Sequence, residues 1–375
     1  MRTSIRMGTI MGIPIYFHFT FLFIIPIFAA VFAFNSGDIF GIALGYYDLD
    51  LLLPAKILLG AICAVLFFFT ILLHELGHSY VALRHGYSIR SITLLIFGGV
   101  AQMEDAPKQP EVEGWMAFVG PATSFLIGLI LTPIYFAVES LRDPGVGLQA
   151  FQVTCGILGF YNLLLGAFNL VPAFPMDGGR ILRSFLAKQM GMLKATQTAV
   201  KVGRIFAIGM VVVGIFTINV FIIFIGFFIY IGASEEETMT KFSLALEGVK
   251  VEEIMNPEVL WIPPSMTLNQ VLVRMMEEHR TSFPVVEDSS LVGVVSAAQI
   301  DQVPKDQRDD VRAGDLADRS PAYVRNYVDA TEVLKALSDR KDFVVVLDEH
   351  NEFVGSITKD ELFNIVTVLD VKKGL

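Results

Sequence analysis

Long apolar runs, separated by short polar intervals, fill the first part of the chain and stop at Ser234-Glu235-Glu236-Glu237. A hydrocarbon layer of about 30 Å needs roughly 20 apolar helical residues to cross it. Residues 14–34, 54–83, 115–138, 149–170 and 196–216, with a shorter run at 219–233, predict six transmembrane helices and place both termini on one face. The first run is too long, and lacks the small-residue cleavage site, to read as a signal peptide. Between the second and third runs, residues 88–103 alternate in a way that predicts two short strands about a Gly98-Gly99 turn, a small β-hairpin insert.

After residue 250 the pattern changes to short strands and short helices, and it repeats. Residues 251–300 and 313–362 align at an offset of 62, with Val271-Leu272 matching Val333-Leu334 and 292–296 matching 354–358. Each repeat predicts an extended lead, a helix, a strand, a glycine turn, a second strand and a helix. The expected architecture is a polytopic α-helical membrane domain at 1–234, a linker at 235–250 and a cytosolic α/β pair of units at 251–310 and 311–375.

Composition sharpens this division. Of 375 residues, 54% are hydrophobic and 18% charged, which is far from the balance of a soluble protein. Mean hydropathy of +0.59 averages two unlike parts. The net charge is +2 through Ser234 and −12 beyond it, and an acidic tail argues against nucleic acid as a partner. Arg2, Arg6, Arg84, Arg90, Lys108 and six basic residues from Arg180 to Arg204 fall on one side of the six-run scheme. The outer loops hold Arg142 alone. Basic residues favour the cytosolic face, so an integral cell-membrane protein with cytosolic N-terminus and tail is expected. Cys63 and Cys155 lie in apolar runs and read as core thiols rather than a disulfide.

Ionisable residues at membrane depth are costly and mark function by default. Glu75 in the second run and Asp177 just past the fourth are such residues. Glu75 belongs to His74-Glu75-Leu76-Gly77-His78, where imidazoles at i and i+4 share a helix face and can reach one zinc ion. The neighbouring carboxylate is placed to act as general base on a water. A third ligand must come from elsewhere. Asn169-Leu-Val-Pro172-Ala-Phe-Pro175-Met-Asp177-Gly-Gly ends the fourth run, and its prolines break the helix. The second and fourth runs cross in the same direction, so Asp177 and the two histidines arrive at one depth. Taken by itself, Asp177-Gly178 also reads as a turn.

HELGH together with NLVPAFPMDGGR resembles the site-2 protease family of intramembrane zinc metallopeptidases, over roughly residues 8–233. Further matches are Gly12-Ile-Pro-Ile-Tyr-Phe-His18, Phe97-Gly98-Gly99-Val100 and Gly120-Pro121-Ala122. The resemblance implies hydrolysis of a peptide bond in transmembrane segments of substrate proteins. It implies one Zn2+ per chain on His74, His78 and Asp177, Glu75 as catalytic base, and Asn169 positioning the substrate. Asn169 also reads as a structural hydrogen-bonding residue between helices. Membrane lipid is the surrounding solvent. A transporter or channel with a regulatory tail is the alternative, but it offers no reason for HExxH with a depth-matched aspartate.

The tail resembles a tandem pair of cystathionine-β-synthase (CBS) domains, opening on Val251-Glu-Glu-Ile-Met-Asn-Pro257. The resemblance implies adenine nucleotide and a homodimer through these domains as candidate partners. Such domains commonly grip ribose with Ser or Thr followed three residues later by Asp. Here Ser296 is followed by Gln299, and Thr358 by Glu361, so Ser296, Thr358 and Glu361 are the candidate nucleotide contacts. The departure leaves a purely dimerising or partner-binding role open.

Overall fold

The computed structural model describes residues 4–95, 98–103, 107, 109–257, 260–288, 290–337 and 343–374. Arg2, Phe97 and Lys108, used in the sequence reading, lie outside these. The chain forms two compact units, Met1–Glu237 and Thr238–Leu375.

In the first unit, strands β1 (Ser4–Ile10) and β2 (Ile13–His18) precede helix α1 (Phe21–Phe34), and a short ladder β3 (Asp38–Ile39) and β4 (Ile42–Ala43) follows it. Then come α2 (Leu53–Arg84), β5 (Ile89–Leu95), β6 (Gly98–Met103), α3 (Pro110–Glu139), α4 (Val146–Asn169), α5 (Asp177–Met190), α6 (Met192–Phe216) and α7 (Val220–Leu246), whose residues from 238 onward belong to the second unit. Among the described residues, four helices are long and apolar enough to cross a membrane: α2, α3, α4 and α6. At about 1.5 Å per residue, α2 is about 48 Å long and exceeds the hydrocarbon thickness. Side chains that a soluble protein would bury stand outward, among them Leu126, Ile205, Phe216 and Phe221, as lipid-facing positions require.

The run at 14–34 does not form one helix. Ile13 and Ile15 are buried while Pro14 and Tyr16 are less so, a two-residue period that suits a strand. Helix α1 begins only at Phe21 and has 14 residues, about 21 Å, shorter than a bilayer core. The apolar part of α7 is likewise short, giving way to Glu235-Glu236-Glu237 within the same helix. Residues 177–190, between the fourth and fifth apolar runs, form the amphipathic helix α5.

A four-stranded sheet runs in the order β1-β2-β5-β6, with β2 and β5 parallel and both outer pairs antiparallel. Gly98 and Gly99 are not its turn: they open β6, opposite Leu95 and Leu94. The core of the unit is a Phe-rich layer in which Phe21 meets Phe68 edge-on, with ring centres 4.7 Å apart.

The second unit contains α8 (Val251–Ile254), α9 (Leu268–Glu277), β7 (Ser282–Glu287), β8 (Ser290–Ser296), α10 (Ala297–Ile300), α11 (Ala313–Leu316), β9 (Tyr323–Arg325), α12 (Thr331–Leu337), β10 (Phe343–Leu347), β11 (Phe353–Thr358) and α13 (Lys359–Lys373). Its bridges reveal an internal two-fold. Lys250 pairs with Asp329 and Thr267 with Arg312; Asn256 pairs with Ser356 and Val294 with Asp318. Adding 62 to one member of each pair gives the partner in the related pair, so the lead of each repeat adds to the other repeat's sheet. The glycine turns anticipated between the strands are absent from the described residues. Asp288 and Asn351, which follow β7 and β10, take positive φ instead. Gly293 lies inside β8, where a side chain would meet the Asp318 carbonyl at 2.6 Å. Glycine is used there for close approach of the two repeats rather than for turning.

Candidate metal centre

Helix α2 starts with Pro54 in its first turn and carries Thr70, His74 and His78 at i, i+4 and i+8, on one face. Helix α3 crosses this face and presents Met116, Gly120 and Ser124 at the same spacing. Two contacts follow from the crossing. His78 donates through Nδ1 to the Met116 carbonyl at 2.6 Å, and His74 Nδ1 lies 2.9 Å from the Ser124 hydroxyl oxygen. A carbonyl can only accept, so the neutral His78 ring carries its proton on Nδ1 and keeps the Nε2 lone pair free. The Ser124 hydroxyl engages Nδ1 of His74 and leaves its Nε2 on the side of Asp177, the kind of second contact that orients metal-binding imidazoles in general.

Asp177 reaches the same place from α5. After Asn169 ends α4, residues 170–176 turn back through backbone bonds from Ala173 N to Val171 O and from Met176 N to Ala173 O, and Asp177 is the first residue of α5. Its Oδ2 lies 3.3 Å from His74 Nε2 and 3.2 Å from His78 Nε2, and the two Nε2 atoms are 3.1 Å apart. A tetrahedral zinc with bonds of about 2.0–2.1 Å separates its ligand atoms by about 3.3–3.4 Å. The three atoms therefore have the mutual spacing of a triangular face that such an ion needs. The donor set of two imidazoles and one carboxylate also suits zinc and leaves a fourth position for water or substrate. Among the described residues, this is the cluster of His, Cys, Asp or Glu that could hold a metal ion. His74 is buried, whereas His78 and Asp177 keep about 15% of their side-chain surface open.

Two glycines seat this group. Gly120 packs directly against both imidazoles, and a β-carbon there would stand 2.8 Å from His74 Nε2 and closer still to His78. Gly99 lies against Glu75, where a β-carbon would come within 2.9 Å of the carboxyl carbon. The backbone of β6, an edge strand, thus runs past the side chain next to the histidines.

The residues singled out from sequence divide into two groups. His74, Glu75, His78 and Asp177 come together. Asn169 closes α4, half-buried, at the head of the turn that leads to Asp177. Ser296, Thr358 and Glu361 belong to the other unit and close helix ends. Ser296 caps α10 with Gln299, and Thr358 caps α13 with Glu361, each as a reciprocal capping box. Glu361 also accepts from Asn256 at 3.2 Å and lies 3.5 Å from Arg280. The Met116 carbonyl, Ser124 and the packing roles of Gly120 and Gly99 were not foreseen.

The chain is similar to several known proteins. The sequence pattern of Peptidase family M50 matches residues 62–152 and 143–210, and that of the CBS domain matches 251–303 and 313–367. A zinc metalloprotease of Methanocaldococcus jannaschii is 32% identical over 375 residues, covering 100% of this chain and 99% of that protein. Rip3 of Mycobacterium tuberculosis is 30% identical over 385 residues, 98% of this chain and 94% of Rip3. The solved site-2 protease from M. jannaschii is 38% identical over 62% of this chain and 95% of its own, with a TM-score of 0.43. The chain belongs to peptidase family M50 and is a zinc metalloprotease of the site-2 type carrying a tandem pair of CBS domains.

Proposed function

We propose that His74, His78 and Asp177 hold the zinc, one ion per chain, and that Glu75 is the general base of peptide-bond hydrolysis inside the bilayer. The observation that carries this reading is the 3.1–3.3 Å triangle of ligand atoms, with both Nδ1 positions already engaged. Zinc held there supplies a Lewis acid for the scissile carbonyl and lowers the pKa of water toward about 7. Glu75, one residue from the first ligand, takes the attacking water's proton and returns it to the leaving nitrogen.

A helical substrate must unwind before its carbonyl can be attacked. In this reading the 88–103 segment acts as a hairpin insert whose edge strand β6 pairs with the extended substrate through backbone hydrogen bonds. Gly99 against Glu75 supports it, because the edge and the base are neighbours. Asn169 positions the substrate from the end of α4. The proposed membrane domain, 1–234, crosses six times with α1 and α7 as its shorter spans. The N-terminus, the linker at 235–250 and the CBS units at 251–310 and 311–375 are cytosolic.

For the tail, the proposal is a dimerising role. Met276, Phe363, Val368 and Val371 are exposed apolar side chains on its helices. Adenine nucleotide at Ser296, Thr358 and Glu361 is the competing role, and it would have to displace or share the capping contacts. Calorimetric titration of the full chain with ATP, ADP and AMP separates the two.

The test of the central reading is cleavage of a single-span substrate in reconstituted membranes. The parent chain is expected to cut within the span, and Glu75→Gln to lose cutting while keeping its zinc. Cutting by Glu75→Gln at the parent rate removes Glu75 as base.

A further inference from the structure

Asp177 is the one proposed ligand that does not sit on α2, so something must fix its helix against the histidine-bearing pair. Three polar contacts tie α5 to the start of α3, the helix that also orients both imidazoles. Ser184 donates to the Pro110 carbonyl at 2.5 Å, Lys188 lies 3.1 Å from Glu111, and Arg183 pairs with Glu113. The last pair is buried: Glu113 is 5% and Arg183 8% exposed. Arg183 reaches two more groups. Its Nη1 donates to Glu236 of α7 at 2.7 Å, and its guanidinium carbon stands 4.9 Å from the centre of the Phe174 ring.

Phe174 is fully buried in the turn that delivers Asp177, three residues before it. The same turn is braced from α7, where a β-carbon at Gly232 would meet Pro175 at 2.8 Å. One planar cation therefore bridges α3, α7 and the ligand-bearing turn, a task for which the fork of an arginine is better suited than an ammonium. Burying that many charges is not a cheap way to hold helices together, since apolar packing does so at least as well. Its placement at the root of Asp177 calls for a different explanation.

We propose that Arg183 is a positioning residue for Asp177, clamped between Glu113 and Glu236 so that the carboxylate meets the two histidines at ligand distance. This rests on the reading of Asp177 as a zinc ligand.

The test is zinc affinity of the full chain in detergent, measured by competition with a chromogenic chelator for Arg183→Lys, Glu236→Gln, their double variant and the control Glu237→Gln. Glu237 lies on the same helix turn but pairs with Arg204, at 3.0 Å. Arg183→Lys and Glu236→Gln should each weaken zinc binding about tenfold, in the range found when groups supporting a ligand are removed. The double variant should be little worse than either single one, since both changes break one clamp. Glu237→Gln should bind as the parent does. Parent-like affinity in Arg183→Lys and Glu236→Gln overturns the proposal. An equal loss in Glu237→Gln also overturns it, because helix packing at α7 would then be the cause. Glu236 is partly exposed, so its variant is informative even where Arg183→Lys folds poorly. Asp177→Ala separates the two levels: if it binds zinc as the parent does, the ligand reading itself fails.

Discussion

Gly120 of α3 stands against His78 of α2 so closely that a single methyl group at position 120 would overlap the imidazole Nε2. Helix α3 carries none of the proposed ligands, yet its Met116 carbonyl and Ser124 hydroxyl contact both imidazoles and Gly120 packs against them. The site is thus a product of helix crossing as much as of the HExxH spacing.

Gly120→Ala should therefore lose zinc without losing the fold. Both imidazoles would have to move, and the displacement affects two proposed ligands at once. Metal content after purification, read beside far-UV circular dichroism, checks this. An alanine variant with full zinc and parent activity would show that the helices relax apart instead.

Ser124→Ala should behave more mildly. It removes one orienting contact and no volume at the ligand atoms, so zinc affinity should fall about tenfold. Chelator competition measures it. Retention of parent affinity would mean that His74 is oriented by packing alone.

Asn162 of α4 is fully buried and donates to Thr70 Oγ1 at 3.0 Å, one turn before His74 on α2. A hydrogen bond between membrane helices contributes about 1 kcal/mol. Asn162→Ala should lower stability by about that amount, measured by reversible unfolding in mixed micelles. An unchanged midpoint would assign no latch role to this pair.

Thr358→Ala tests what the tail's candidate residues do. As the cap of α13, Thr358 should be worth about 1 kcal/mol of stability. Unfolding of the tail transition by denaturant reads this directly. Unchanged stability together with loss of a nucleotide-binding heat would make Thr358 a ligand contact instead.

Much of this was legible in the sequence because it is local. His74 and His78 share a face by spacing alone, and the prolines before Asp177 announced the break that frees it from α4. The 62-residue offset revealed the repeat, and the same offset relates the paired bridges of its two halves. What was not legible depends on contacts far apart in sequence. Met116 and Ser124 lie 38 and 50 residues from the histidines they touch, and no periodicity announces such pairs. Residues 13–18 misled for another reason: a continuous apolar stretch suits a strand and a helix equally until its partner is known. Gly98-Gly99 and Gly293 looked like turns because glycine's usual local meaning is flexibility, whereas Gly99 and Gly293 serve close packing.

The most direct test of the account is zinc stoichiometry in the purified full chain and two variants. The account predicts about one zinc per chain in the parent and in Glu75→Gln, and almost none in Asp177→Ala, because a tetrahedral site stripped to two protein ligands binds weakly. Full zinc in Asp177→Ala would contradict it.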